Sequence, residues 1–458
     1  MTTVAERTAR GREARKAVPR SSHSALEVDP GRDPVAIIEE QNRTRLPSLV
    51  PIKYGRMLAS PFAFYRGGAL LMARDLASTA NTGLDAQLCG DAHLSNFGAF
   101  ASPERNLVFD LNDFDETLHG PFEWDVKRLG ASFEILAKDR GFSKAQRRES
   151  VLRAVRGYRE AMLQFAGLGD LEVWYAHRDT TALAAELQRA HDRRFAKKVK
   201  RATAKVETDG DRRALAKLTR WVDGAPMLIS EPPLMTPLSE LDDKEVVEPA
   251  LEGVLRSYRK TLSADLRVLL DGFRPVDFAR KVVGVSSVGT RCWVALLQGR
   301  DEHDLLFLQA KEADASALEP ALGASRFSNH GRRVVEGQRL IQAASDIFLG
   351  WGRAKATDGR AELDVYVRQL RDWKTSIDVE SIRPSELTEY ASACGWTLAR
   401  AHARSGDRIA IAAYLGKSDV FDRAVGDFAV AYADLNQRDH DALRTAVAEG
   451  RLAATEGV

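Results

Sequence analysis

Hydrophobic and polar positions follow different periods along this chain, and the changes of period mark its organisation. Residues 1 to about 33 carry Arg, Ser, Glu and Ala without apolar periodicity, which predicts a mobile, slightly basic arm. After Gly68, the spacing of Leu70, Leu71, Arg74 and Leu76 predicts a short helix. Residues 86–89, 97–100 and 107–111 read as short strands, with SPERN (102–106) as the turn between the last two. Beyond Pro121 the period becomes helical. WDVKRLGASFEILAK is amphipathic, 144–166 predicts a second long helix, and 183–222 reads as helical and basic. DGAPMLISEPPLMTPL is broken by prolines into a loop or hairpin, and 243–272 predicts another helix. Residues 279–313 are β-rich, with two apolar runs around the polar turn QGRDEHD. A helix is predicted near 331–345, a strand over 363–370, and helices from about 385 to 456.

These elements divide the chain into a flexible arm (1–33), a mainly helical unit (34–275), a β-rich unit (276–380) and C-terminal helices (381–458) that pack back on the helical unit. The fold class is α+β. A length of 458 residues allows two or three domains, and a hydrophobic share of 44% supplies a sizeable core. Charged residues make up 29% with a net charge of +2, which gives no argument for a nucleic-acid or membrane partner. Residues 189–205 do hold eight Lys or Arg (Arg189, Arg193, Arg194, Lys197, Lys198, Lys200, Arg201, Lys205) against Asp192. Only Phe195 interleaves as an aromatic, so a solvated helix face is the reading there. Cys89, Cys292 and Cys394 are far apart without metal-ligand spacing, which suits a reducing compartment. With no apolar run near 18 residues and no apolar segment at the N-terminus, the expectation is a cytoplasmic protein. Nothing in the chain predicts an oligomeric state.

Candidate chemistry concentrates in LCGDAHLSNFGAFASPERNLVFDLNDFDE (88–116). Asp91, His93 and Asn96 share one short turn, and Asp110, Asp113 and Asp115 follow a hairpin. So many acids between apolar strands suit a magnesium–phosphate site, because buried charge is costly unless paired or bound to metal. An acid at the start of the turn could accept the proton of an attacking hydroxyl, and an amide five residues on could reach the metal. An ordinary Asp/Asn turn would carry the same residue types. Asp110 rivals Asp113 as metal ligand, because alternation sends the two to opposite faces. Gly284-Val-Ser286-Ser287-Val-Gly289 lies between two β stretches, where small residues let backbone N–H groups approach phosphate, or simply make a tight turn. Lys311 ends a strongly apolar strand; it is either a phosphate clamp or a surface lysine. Glu312 should point to the other face, so Glu336 is its expected brace. Arg56 and Arg66 flank an aromatic patch and could meet a phosphate or pair with acids. Asp125 could serve the start of its helix or brace the Asp91 turn.

The Asp91 turn resembles the HGD-x-H-x-x-N loop of aminoglycoside phosphotransferases and other kinase-like enzymes, with Cys89 in place of the leading His. Asp113-Phe114-Asp115 is similar to their metal-binding Asp-Phe element. The resemblance implies a kinase-like two-lobe fold with Asp91, His93 and Asn96 catalytic, and with Asn96, Asp113 and Asp115 near magnesium. It also implies that Gly284, Ser286, Ser287, Gly289, Lys311 and Glu336 bind ATP. In kinases the nucleotide elements come first, whereas here they follow the catalytic turn, so the resemblance implies a circular permutation. RM-x-x-SPFAFYRG (56–67), CGDAHLSNFG, LNDFDE, GPFEWDVKRL, VGVSSVG, LQAKEA, FLGW, YVRQLRDWK and LARAHARSGD also resemble a bacterial family known as domain of unknown function 2252, over roughly 40–440. The expected function is an ATP- and Mg²⁺-dependent phosphotransferase with a small-molecule acceptor. Nucleotidyl transfer, a nucleotide-binding pseudoenzyme, and a metal-dependent phosphoesterase (from Asp91-x-His93 and Asn329-His330) are the alternatives.

Overall fold

A computed structural model describes residues 2–180, 195–198, 200, 201, 203, 204, 217–355, 362–370 and 378–457. The fold is mixed α+β. Its largest core is helical: Phe122–Asp139, Lys144–Ala166, Pro384–Ser405, Arg408–Leu415 and Val420–Ala448 bury their apolar faces together. Two small antiparallel pairs sit on this bundle, β1 (Asp85–Leu88) with β4 (Leu118–Pro121) and β2 (Phe97–Ala101) with β3 (Leu107–Leu111). A hairpin of β5 (Thr219–Val222) and β6 (Ala225–Leu228) leads to a second unit. That unit is a six-stranded antiparallel sheet of β7 (Met235–Pro237), β8 (Arg274–Lys281), β9 (Cys292–Gln298), β10 (Leu305–Glu312), β11 (Gly350–Lys355) and β12 (Glu362–Gln369). Its order is β11-β12-β10-β9-β8-β7.

Alternation along β10 decides what each face of the sheet carries. Leu306 and Leu308 join Leu251, Val254 and Tyr258 of the helix Lys244–Arg259 in one core. Phe307 belongs to the opposite face, with Val294 and Leu296 of β9. Gln309 and Lys311 therefore share the Phe307 face, and β12 sets Arg368 beside Gln309 and Tyr366 beside Lys311. The helix His330–Ile341 lies between the sheet and the bundle; Gly337 lets it approach Thr117, and buried Arg333 donates to the Thr117 and Asp314 carbonyls at 2.8 Å each.

Three expectations are corrected. The N-terminal residues form a docked helix, Val4–Ala17, rather than a mobile arm. Apart from Gly11 and Ala14, which pack closely on Ala410, Ala413 and the core, its attachment is polar, which is why no apolar period announces it. Arg15 and Arg20 donate to the Tyr414 and Leu415 carbonyls at the end of the helix Arg408–Leu415, where backbone acceptors lack intrahelical partners. His23 is fully buried against the Tyr414 hydroxyl at 2.7 Å, and burial pushes its pKa down to about 3. The boundary near 275 is also displaced. β7 and the helix Lys244–Arg259 already belong with the sheet, and Tyr258 donates to the Phe348 carbonyl at 2.6 Å. The single helix expected over 243–272 is two, Lys244–Arg259 and Ala264–Asp271. Of the basic stretch 189–205, Arg189, Arg193, Arg194 and Lys205 lie outside the described residues, as do 371–374 of YVRQLRDWK.

Candidate functional site

Asp91 follows Gly90, whose φ of 83° and close approach to the Glu116 carbonyl exclude a side chain. The turn is held from below. The Asp125 carboxylate accepts the Cys89 amide at 2.7 Å and the Gly90 amide at 3.0 Å. His402 faces Asp125 at 3.2 Å and is held by the Tyr158 hydroxyl at 2.9 Å. Asp125 is thus a brace of the turn. Asp91 is buried and paired with buried Arg128, whose Nε donates at 2.6 Å. Burial raises the Asp91 carboxyl above its ordinary range, against the opposing pull of Arg128. His93 lies 3.7 Å from Asp91, and burial drives it well below its usual pKa, so it is neutral. Asn96 donates its amide to the Asp91 carbonyl at 2.7 Å, which leaves the amide oxygen as the acceptor on offer.

The second acid group divides. Asp110 is fully buried: Arg400 donates to both of its oxygens at 2.7 Å, and the Ala343 amide adds a bond at 2.9 Å. Asp113, the other candidate in that rivalry, lines a cleft of about 300 Å³ between the bundle and the sheet. Asp115 reaches across to the sheet, where it pairs with Lys311 and accepts from Tyr366 at 2.8 Å and Ser287 at 3.2 Å. Lys311 also donates to the Ser287 hydroxyl at 2.6 Å. Burial works against both charges, but their mutual attraction outweighs it. The Asp115 pKa is pulled down to about 2 and Lys311 is held above its ordinary range, so the pair is ionised.

The carboxylate that meets Lys311 is therefore Asp115, where Glu336 was expected. Glu336 pairs with Arg332 on its own helix at 3.8 Å, on a partly exposed face. Asp115, expected near metal, is engaged by the lysine. Glu312 does point away, to Arg291 at 3.2 Å. The small-residue segment is the turn between β8 and β9. Its carbonyls are pinned: Arg56 holds that of Gly284, Arg45 that of Val288 and the Leu46 amide that of Gly289. Gly289, with φ 91°, packs directly on Arg45, while Gly284 is open on the cleft side. Ser286 faces a second cavity of about 490 Å³, which shares Ser287 and Lys311 with the cleft. Asn329, read as a phosphoesterase echo, caps its helix through the Arg332 amide at 2.7 Å.

The cleft gathers Lys281, Lys311 and Arg368 with Asp113 and Asp346, together with Gly284 and Ser287. Asp91, His93 and Asn96 do not line it. Among the described residues, no three His, Cys, Asp or Glu side chains converge as a metal cage. Of the three expected metal ligands only Asp113 lines the cleft, so a magnesium ion there would take most of its ligands from phosphates and water. The model of a bacterial family described as uncharacterized protein conserved in bacteria (DUF2252) matches residues 45–446.

The chain belongs to this family.

No curated protein and no solved structure matches it. Among the described residues, no helix is long and apolar enough to cross a membrane. In this DUF2252 chain, Arg128, Arg400, Lys281, Tyr366 and Arg368 are site residues that the motifs did not single out. Two had a local signal. Arg128 stands one turn after Asp125 on the same helix face, and Arg368 follows Tyr366 by the strand period.

Proposed function

We propose that this cleft binds ATP with magnesium and that the protein is a kinase-like phosphotransferase on a circularly permuted two-lobe fold, with a small-molecule acceptor. The observation that carries the reading is that Lys311, Ser287 and Asp113, from three segments, line one cleft between sheet and bundle, with Asp115 beside Asp113 paired to Lys311. The order of elements supports it. A small-residue turn joins two antiparallel strands, the next strand carries a buried lysine, and a helix follows. Kinases arrange their phosphate-covering loop, lysine and adjacent helix in this order. The permutation is supported by the helix Pro384–Ser405, whose Ser405 accepts the Gln87 amide at 3.1 Å, so the C-terminal helices adjoin the strand that leads into Asp91.

In this reading Lys311 and the β8–β9 turn would hold the phosphates, and Asp113, with Asn96 as the second expected ligand, would hold a magnesium ion that neutralises phosphate charge. The acceptor hydroxyl attacks the γ-phosphorus, the bond to the β–γ bridging oxygen breaks, and nucleoside diphosphate leaves. Asp91 takes the hydroxyl proton, a role helped by the upward push that burial gives its pKa. One observation favours a second reading, nucleotide binding without transfer: Asp91 is tied to Arg128 and is not among the residues lining the cleft.

Calorimetric titration with Mg-ATP tests the first step, and transfer of labelled phosphate to pooled small metabolites tests the second. The wild type is expected to bind Mg-ATP, and Asp113→Ala to weaken binding by about tenfold or more. A wild type that binds no nucleotide ends both readings. Binding without hydrolysis or transfer supports the second.

A further inference from the structure

Arg66 is a cation near the Asp91 turn whose side chain has no hydrogen-bond or ion-pair partner among the described residues. It sits at the end of the helix Pro61–Gly67, which Ser60 caps through the Ala63 amide at 3.1 Å. Its neighbours fix this helix against the Asp91 turn. The Tyr65 hydroxyl donates to the Arg128 carbonyl at 2.7 Å, the Arg128 guanidinium lies over the Tyr65 ring at 4.4 Å, and Phe62 packs edge-on to His93. Arg128 then grips Asp91. From the preceding helix, Val50–Leu58, Arg56 reaches the Gly284 carbonyl at the mouth of the cleft.

Between these two fixed points the Arg66 side chain forms no hydrogen bond or ion pair among the described residues, and its buried Nε has no partner. The groups that act on its charge are Asp91 and Asp113, both favourably, and Arg56 and His93 lie within its field. Arg66 is half-buried, and its enclosed Nε has no partner among the described residues, so an anion that reached the guanidinium would offset the desolvation of that nitrogen. Arginine's planar fork suits the two oxygens of a phosphate, and Arg66 sits on the helix whose Tyr65 and Phe62 pack on Arg128 and on His93 of the Asp91 turn.

We propose that Arg66 binds the terminal phosphate of the nucleoside triphosphate. This rests on the nucleotide reading above and adds a residue that distinguishes triphosphate from diphosphate. The β phosphate remains with Lys311 and the β8–β9 turn, so Arg66 should contribute little to diphosphate binding.

The test is calorimetric titration of the full-length wild type, Arg66→Ala and Arg66→Lys with Mg-ATP and with Mg-ADP. The wild type is expected to prefer ATP. Arg66→Ala should lose about tenfold or more in ATP affinity while ADP affinity stays within about threefold, and Arg66→Lys should recover part of the loss. If Arg66→Ala leaves the ATP-to-ADP ratio unchanged while the wild type binds both, this inference falls and the nucleotide reading stands. Equal loss of both nucleotides in both variants assigns Arg66 a structural role and overturns it as well. A wild type that binds neither nucleotide overturns the inference together with the reading beneath it.

Discussion

The two acid-bearing turns, 89–96 and 110–116, are close in sequence and similar in residue type, yet the fold holds them in opposite ways. The first is secured within the helical unit: Asp125 takes its amides, His402 backs Asp125, and Arg128 takes Asp91. The second spans units. Asp110 is anchored below by Arg400, while Asp115, five residues on, crosses to Lys311, Ser287 and Tyr366 of the sheet. A charge paired inside one unit fixes geometry. A charge paired between units can also open and close, and in the proposed reading a nucleotide phosphate would compete for the same lysine.

The largest test of this contrast is Arg128→Ala. It leaves Asp91 buried and uncompensated, and a loss of about 3–5 kcal/mol in urea denaturation is expected. A loss below about 1 kcal/mol would show that the first turn is not secured in this way. Next is Lys311→Met, which keeps the stem and removes the charge. Asp115 is partly exposed, so a smaller loss, on the order of 1–2 kcal/mol, is expected. The pH dependence sharpens the comparison. Asp115 titrates at about 2 in the fold, below its ordinary 3.8, so its contribution is full above about pH 4 and is lost as pH falls towards about 2. Stability measured across that window should fall more steeply in the wild type than in Lys311→Met, and parallel curves would contradict the pairing. The smallest expected effect is Glu336→Ala, within about 0.5 kcal/mol, because its partner is a surface arginine. A larger loss, or a nucleotide affinity that falls with it, would mean that Glu336 reaches Lys311 in another state of the cleft.

Much of the architecture was legible in the residues. The helices at 144–166 and 330–341, the hairpin around SPERN and the strands flanking the small-residue turn all follow local periods. The docked N-terminal helix was not, because arginines seated on the end of another helix leave no apolar stripe. β11 was missed as well: GWGRAK does not alternate, and its place depends on β12 and on the helix Lys244–Arg259 beside it. Within the site, strand parity correctly turned Glu312 away from Lys311, yet the choice of Glu336 as brace assumed a neighbour that sequence spacing cannot supply.

By itself the sequence determined which residues carry charge, where the chain turns, and which side chains share a face of a strand or helix, because those depend on periods of two and 3.6 residues. Only the tertiary structure decided which charge meets which: Asp91 with Arg128, Asp110 with Arg400, Asp115 with Lys311, and Arg66 with none among the described residues. Ion pairs form by distance in space across hundreds of residues of chain, and an electrostatic contact leaves no local pattern from which its partner can be read.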